Sequence, residues 1–107
     1  MVEVLRYQAE DATEPVTEWL NNLRDRQAQA RLRVRLRRLE VGTFGDCDPV
    51  GEGVFELREH VGAGYRVYFG RNGRQVVILL CGGDKKSQTA DVRRAKRYWV
   101  DWKRRQS

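Results

Sequence analysis

Five side chains able to hold or move charge stand close together in the middle of the chain, at alternate positions. In V-F-E-L-R-E-H they are Glu56, Arg58 and His60, and in G-Y-R-V-Y-F they are Arg66 and Tyr68. A guanidinium grips phosphate or carboxylate through paired hydrogen bonds. An imidazole transfers protons near neutral pH, and His60 is the only one in the sequence. A phenol stacks on a nucleobase or lends its hydroxyl. Downstream, Lys85 and Lys86 follow Gly82-Gly83-Asp84, where two adjacent glycines let the backbone approach a ligand closely. Each of these residues also has a plainer explanation. Arg66 pairs with Glu56 or Glu59 across a hairpin, His60 is an exposed strand end, and Tyr68 is a packing residue. The lysines then ride on a turn whose Asp84 or Ser87 caps the next helix. Residue types alone leave both sets of readings open.

Positioning these groups requires a sheet. From Val54 to Lys86, three β-rich runs are separated by Gly62-Ala63-Gly64 and by Asn72-Gly73, the pattern of an antiparallel meander. Asn72-Gly73 is expected to form a type I′ hairpin turn, whose two central residues both need φ > 0. Alternation puts Phe55 and Leu57 on one face, with Tyr65, Val67 and Phe69 together on one side of the next run. The polar faces align if Glu56, Arg58, His60, Arg66 and Tyr68 share the other side.

The flanking segments supply the remaining elements. Val2 and Val4 begin a short strand that must join the sheet to satisfy its backbone. Asp11 to Pro15 offers capping residues, early acids and a first-turn proline for a helix whose Val16, Trp19, Leu20 and Leu23 form a core-facing stripe. After a break near Arg24-Asp25-Arg26, a second helix turns Ala28, Leu32, Leu36 and Leu39 inward and ends near Gly42, completing an αα-hairpin. Seven arginines lie between Arg24 and Arg38, either a solvated face or a patch facing RNA or a partner protein. Gly42 to Gly53 reads as a turn-rich loop. The last helix docks through Val92, Ala95, Trp99 and Trp102 and keeps Arg93, Arg94, Lys96, Arg97, Lys103, Arg104 and Arg105 in water. The expected fold is α+β, in the order β-α-α-β-β-β-α, as one domain over residues 1–107.

Composition narrows the function classes. A hydrophobic fraction of 40%, with three Trp, four Tyr and three Phe, argues against wholesale disorder. The net charge of +6, with arginine far outnumbering lysine, favours an RNA, DNA or acidic-protein partner. No apolar run reaches membrane-spanning length and no signal-peptide core is present near Met1, so the expected location is the cytoplasm. Two cysteines without a C-x-x-C spacing, and one histidine, speak against a zinc site and a disulfide framework, and Cys81 reads as a small buried hydrophobe. No metal or cofactor is expected.

The blocks F-E-L-R, G-Y-R-V-Y-F and L-L-C-G-G-D-K-K-S-Q, together with W-L-N-N-L-R-D, G-T-F-G-D and P-V-G-E-G-V in this order, resemble the RelE/ParE superfamily of bacterial toxins. The branch most resembled is that of the HigB-like addiction-module killer proteins, and the resemblance covers essentially the whole chain. It implies the toxin of a type II toxin–antitoxin pair. RelE and HigB relatives cleave messenger RNA on the ribosome without metal, whereas ParE relatives poison DNA gyrase on a similar scaffold. Cleavage by the 2′-hydroxyl needs a base, an acid and cations around the phosphate. The resemblance assigns Arg66 to the phosphate, with Arg58, His60 and Lys85 as further catalytic candidates. Lys86, Tyr68, Gln88 and Arg93 are the expected RNA contacts. RelE-like nucleases often carry a tyrosine early in the last helix. Here Gln88-Thr89-Ala90-Asp91 stands in that place, Tyr98 lies too far along to replace it, and the general acid is left unassigned. The implied partners are a small helix-turn-helix antitoxin, held in a hetero-oligomer, and messenger RNA on the ribosome. The alternatives are a non-catalytic gyrase poison and an inactive relative that still binds its antitoxin. Retention of Arg58, His60, Arg66 and Lys85 leans toward the nuclease.

Overall fold

The computed structural model describes residues 1–106. Along the chain lie β1 (Glu3–Arg6), α1 (Pro15–Asn21), α2 (Arg26–Leu39), β2 (Cys47–Gly51), β3 (Val54–Glu59), β4 (Tyr65–Asn72), β5 (Val76–Gly83) and α3 (Gln88–Arg105). The sheet order is β1-β5-β4-β3-β2. The last four strands are antiparallel neighbours, and β1 joins β5 in parallel, with Glu3 opposite Val76 and Arg6 opposite Leu79. The fold class is α+β as expected, but the sheet is mixed and has five strands. The order is therefore β-α-α-β-β-β-β-α, one strand more than the sequence indicates.

The additional strand, β2, comes from the segment expected to be a loop. Cys47-Asp48-Pro49-Val50-Gly51 is rich in residues that interrupt strands, yet β2 sits at the sheet edge, where a proline owes no N–H to a ladder. A two-residue turn, Glu52-Gly53, returns the chain into β3 with φ of +56° and +83°. Both central residues are left-handed, as a type I′ turn demands. The Asn72-Gly73 hairpin does not use that geometry. Asn72 ends β4, only Gly73 has positive φ (+70°), and Gly73 to Gln75 make a three-residue loop before Val76.

Two layers of helix cover the sheet. On one face α1 and α2 bury Val16, Leu20, Leu32, Leu36 and Leu39 against Leu57, Val67, Phe69, Val77 and Leu79. On the other, α3 buries Ala95 and Trp99 against Val54, Tyr68, Ile78, Leu80 and Cys81. Fully burying a large apolar side chain contributes roughly 1.5–3 kcal/mol, so each layer contributes strongly to docking its helices. A break in the β4–β5 register, with Tyr68 opposite Cys81 and Phe69 opposite Leu79, lets the consecutive Leu80 and Cys81 both join the α3 side. Gly70 and Gly82 lie flat beneath the Trp99 and Trp19 rings, where any β-carbon would overlap the indole.

The helix ends follow local chemistry. Asp25 caps α2 by accepting the Ala28 N–H at 3.0 Å. At the other end, Thr43 N–H bonds the Arg38 carbonyl (3.0 Å) and Gly42 N–H bonds the Leu39 carbonyl (2.9 Å), with Gly42 at φ +81°. Pro15 opens α1, but Asp11 does not cap it. Asp11 instead accepts from the Thr13 N–H and hydroxyl at 3.1 and 2.7 Å, closing the turn before the helix.

Candidate functional site

Alternation along β3 turns Glu56 and Arg58 to the α3 side of the sheet, and the register places Glu56 opposite Tyr68 and Arg58 opposite Arg66. Glu56 is the hub, with 2% of its surface exposed. Its Oε2 accepts from the Tyr68 hydroxyl and from Gln88 Nε2, both at 2.9 Å. Arg66 Nε lies 3.4 Å from the same oxygen, and Arg58 Nη1 lies 3.4 Å from Oε1. A buried carboxylate is tolerated only when paired and hydrogen-bonded, and Glu56 has four donors around it. The Tyr68 hydroxyl is raised far above its ordinary range by burial and by the bond to Glu56, so it stays a neutral donor.

Two arginines directly opposite one another repel unless an anion lies between them. Glu56 supplies that anion, reaching both arginines, and Asp46 and Asp48 neutralise Arg58 further on its outer side. Arg58 Nη2 donates to Asp46 Oδ1 at 2.8 Å and to Asp48 Oδ2 at 2.6 Å. Asp46 also meets His60 Nε2 at 2.5 Å, which makes it a bridge between the guanidinium and the imidazole. The Asp46 carboxyl is held down at about 2, first by its bond to Arg58 and then by that to His60.

Arg66 donates through Nη1 to the Gly64 carbonyl at 3.0 Å, and its side chain is 12% exposed. Its Nε is buried without a hydrogen-bond partner. A β-carbon at Gly64 would stand 3.8 Å from Arg66 Nη1 and 3.9 Å from Lys85 Cβ, so Arg66 and Lys85 flank the same turn. Asp84 braces that edge by accepting the N–H groups of Lys86 and Ser87 at 2.9 and 3.2 Å. Asp91, 6% exposed, accepts from the Ser87 hydroxyl at 2.5 Å and from Arg94 Nη2 at 3.1 Å, and a β-carbon on Gly83 would overlap it. These contacts pin the start of α3 beside the site.

The structure thus brings Arg58, Arg66, Tyr68 and Gln88 together around Glu56, with exposed Lys85 and Lys86 on the bounding turn. His60 joins only through Asp46, its side chain 71% exposed, and Arg93 is exposed on α3 outside this network. Arg66 is largely covered, its side chain 12% exposed beside Glu56 and the Gly64 carbonyl. The expectation of Tyr68 as an RNA contact needs correction. Tyr68 is wholly buried with its hydroxyl bonded to Glu56, so a base has no ring face to stack on. The plainer reading of Arg66 is met through the first of its two partners, since it pairs with Glu56 while Glu59 takes Arg35 at 3.0 Å. Asp46 and Asp48 escaped the sequence analysis. Their alternate spacing next to Pro49 was the available signal, hidden by reading the segment as a loop.

The family model described as "Phage derived protein Gp49-like (DUF891)" matches residues 18–97, a span that contains every residue of this network. The chain belongs to that family, which is RelE/toxin-like in general. It is also similar to an uncharacterized protein of Haemophilus influenzae, with 47% identity over 78 residues, covering 73% of this chain and 79% of that protein.

Proposed function

We propose that this protein is the toxin of a type II toxin–antitoxin pair, of the HigB-like branch, and that it cleaves messenger RNA on the ribosome. The observation that carries the proposal is the Arg58–Arg66 pair, set directly opposite each other on adjacent strands beside the Lys85 turn. Two guanidinium groups gathered on one carboxylate, with a lysine at the rim, form a receptor for one phosphodiester. In the proposed step the ribose 2′-oxygen attacks phosphorus, the bond to the 5′-oxygen breaks, and a 2′,3′-cyclic phosphate forms. A base takes the 2′-hydroxyl proton and an acid protonates the departing 5′-oxygen. Arg66 stabilises the charge building on phosphorus, held in place by Glu56 and the Gly64 carbonyl. Arg58 assists once the phosphate replaces Asp48 on its outer edge. His60, oriented by Asp46, is the proton-transfer group, and Lys85, Lys86, Gln88 and Arg93 steer the strand.

A second reading draws on a different observation. Both arginines already carry carboxylate partners within the chain, as suits a domain that binds its target, such as gyrase, or only its antitoxin, without cutting. Primer extension on a defined message, with and without translating ribosomes and alongside Arg66→Ala, separates the two. Cuts that require ribosomes and vanish in the variant support the nuclease. Cuts by folded wild-type protein without ribosomes retain the ribonuclease and discard the ribosomal step. An absence of cutting by folded protein moves the function to the binding class, where a supercoiling assay with gyrase comes next.

A further inference from the structure

The helix α2 reads R-Q-A-Q-A-R-L-R-V-R-L-R-R-L, six arginines in fourteen residues with no acid among them. Its inner stripe is fully apolar, and Arg35 alone of its arginines is half-buried, donating to the Arg58 carbonyl at 2.7 Å and to Glu59 at 3.0 Å. Arg26, Arg31, Arg33, Arg37 and Arg38 are exposed. Arg33 bonds Asn21 at 2.8 Å, and Arg31 reaches Glu59 only at 3.6 Å with 56% of its side chain in water. The side chains of Arg26, Arg37 and Arg38 meet no hydrogen-bond or ion-pair partner among the described residues.

This arrangement works against the helix that carries it. Arg26 sits in the first turn, where the macrodipole disfavours a cation, and only Arg37 and Arg38 in the last turn are favoured by it. Arg31 and Arg35, and Arg33 and Arg37, stand four apart, and like charges at that spacing repel. No acidic residue on α2 offsets them. The surface gains only when a polyanion covers it.

The chemistry of that polyanion follows from what the surface lacks. Val34, at 36% exposure, is the only large apolar side chain that α2 shows to solvent. A protein partner needs an apolar centre to its interface, whereas a nucleic-acid backbone is bound by cations alone. Arg26 and Arg37 are eleven residues apart, about 16 Å along the axis, enough to follow a backbone over several nucleotides. The helix also lies on the sheet face opposite Glu56 and Arg66. A backbone seated there is not the strand presented to the Arg58–Arg66 pair.

We propose that the exposed arginine face of α2 anchors the phosphate backbone of a structured nucleic acid, on the opposite side of the sheet from the candidate site. The anchor does not depend on whether that site cuts RNA. The test is fluorescence anisotropy of the full chain with a short RNA duplex, and with a DNA duplex of matching sequence, across a salt series. Arg33→Gln/Arg37→Gln/Arg38→Gln should weaken binding at least about 10-fold and flatten the log–log salt slope by about 2 to 3, close to one per lost phosphate contact. Arg33→Lys/Arg37→Lys/Arg38→Lys should restore the slope, which guards against a folding defect in the first variant. Arg71→Gln/Arg74→Gln/Arg97→Gln removes the same charge from exposed positions elsewhere and should leave the slope unchanged. The comparison of duplexes then tells which nucleic acid is preferred. Equal losses in the two glutamine variants, or no loss in the first, would overturn the proposal. So would tighter binding of a polyglutamate peptide than of either duplex, lost in the α2 variant, which would assign the face to an acidic protein. Cutting of a message in primer extension is read separately and reports on the Arg66 site, so a failure there is distinguishable from a failure of the α2 anchor.

Discussion

The two faces of the sheet are built on opposite rules. Beneath α1 and α2 the buried side chains are all apolar: Val, Leu and Phe, with Ala28. Beneath α3 the core is broken by both of the buried charged residues in the described chain, Glu56 and Asp91. The first face needs only hydrophobic burial and shape. The second must satisfy each polar group it hides, and it does so through Tyr68, Gln88, Arg58 and Arg66 around one carboxylate and Ser87 and Arg94 around the other. Replacing a buried ion pair with apolar residues is often neutral or stabilising. A chain selected for stability alone has no need of the second face, which is the reason to place function there.

The contrast breaks most readily at Glu56. Glu56→Ala leaves two guanidinium groups and a buried phenol without their anion and should destabilise the fold by about 3–5 kcal/mol, read by urea denaturation. Glu56→Gln keeps the shape and one acceptor, and should lose only about 1–2 kcal/mol. An alanine variant as stable as wild type would show that the arginine pair is not held by this carboxylate. Leu32→Ala, on the apolar face and 0% exposed, should lose about 3 kcal/mol through the cavity it leaves. Any RNA cleavage per folded molecule should be unchanged in Leu32→Ala but not in Glu56→Ala. Equal losses of activity would erase the distinction between the faces.

A smaller effect tests the edge that carries Asp48. Gly53 has φ +83°, and a β-carbon there would stand 2.8 Å from Trp99 Nε1. Gly53→Ala should lower stability by about 1–2 kcal/mol, seen as a reduced Tm. An unchanged Tm would argue that β2 is not fastened by this turn.

Periodicity carried the apolar face in the sequence. Ala28, Leu32, Leu36 and Leu39 keep one helical stripe, and all four are buried. The alternation in β3 and β4 also put Glu56, Arg58, Arg66 and Tyr68 on one shared face, although not which residue stands opposite which. What alternation does not report is the cover over a face. The burial of Glu56 and Tyr68 comes from α3, which begins about 30 residues beyond Glu56 and about 20 beyond Tyr68, and no local pattern encodes it. β2 was illegible for a different reason, because Pro49 and Gly51 are poor strand formers that only an edge position accommodates. Asn72-Gly73 marked a real hairpin, but the strict type I′ pair is Glu52-Gly53, where glutamate is an unusual occupant of the left-handed region.

The finest test concerns the outer side of Arg58, where the polar face meets water. Asp46 is exposed and titrates at about 2, below an ordinary aspartate near 3.9, because Arg58 and His60 both favour its charged form. A carboxylate lowered in the folded state adds stability above the unfolded pKa, and that contribution is lost as the pH falls through the folded one. The Tm difference between wild type and Asp46→Asn should therefore be constant from about pH 7 to 5 and shrink between about pH 4 and 2. The effect should be small, since the pair is open to solvent and screened by salt. Parallel curves down to the lowest pH would mean that Asp46 is not engaged by Arg58 in solution. That guanidinium would then keep only Asp48 on its outer side, and a phosphate would have one carboxylate to displace there instead of two.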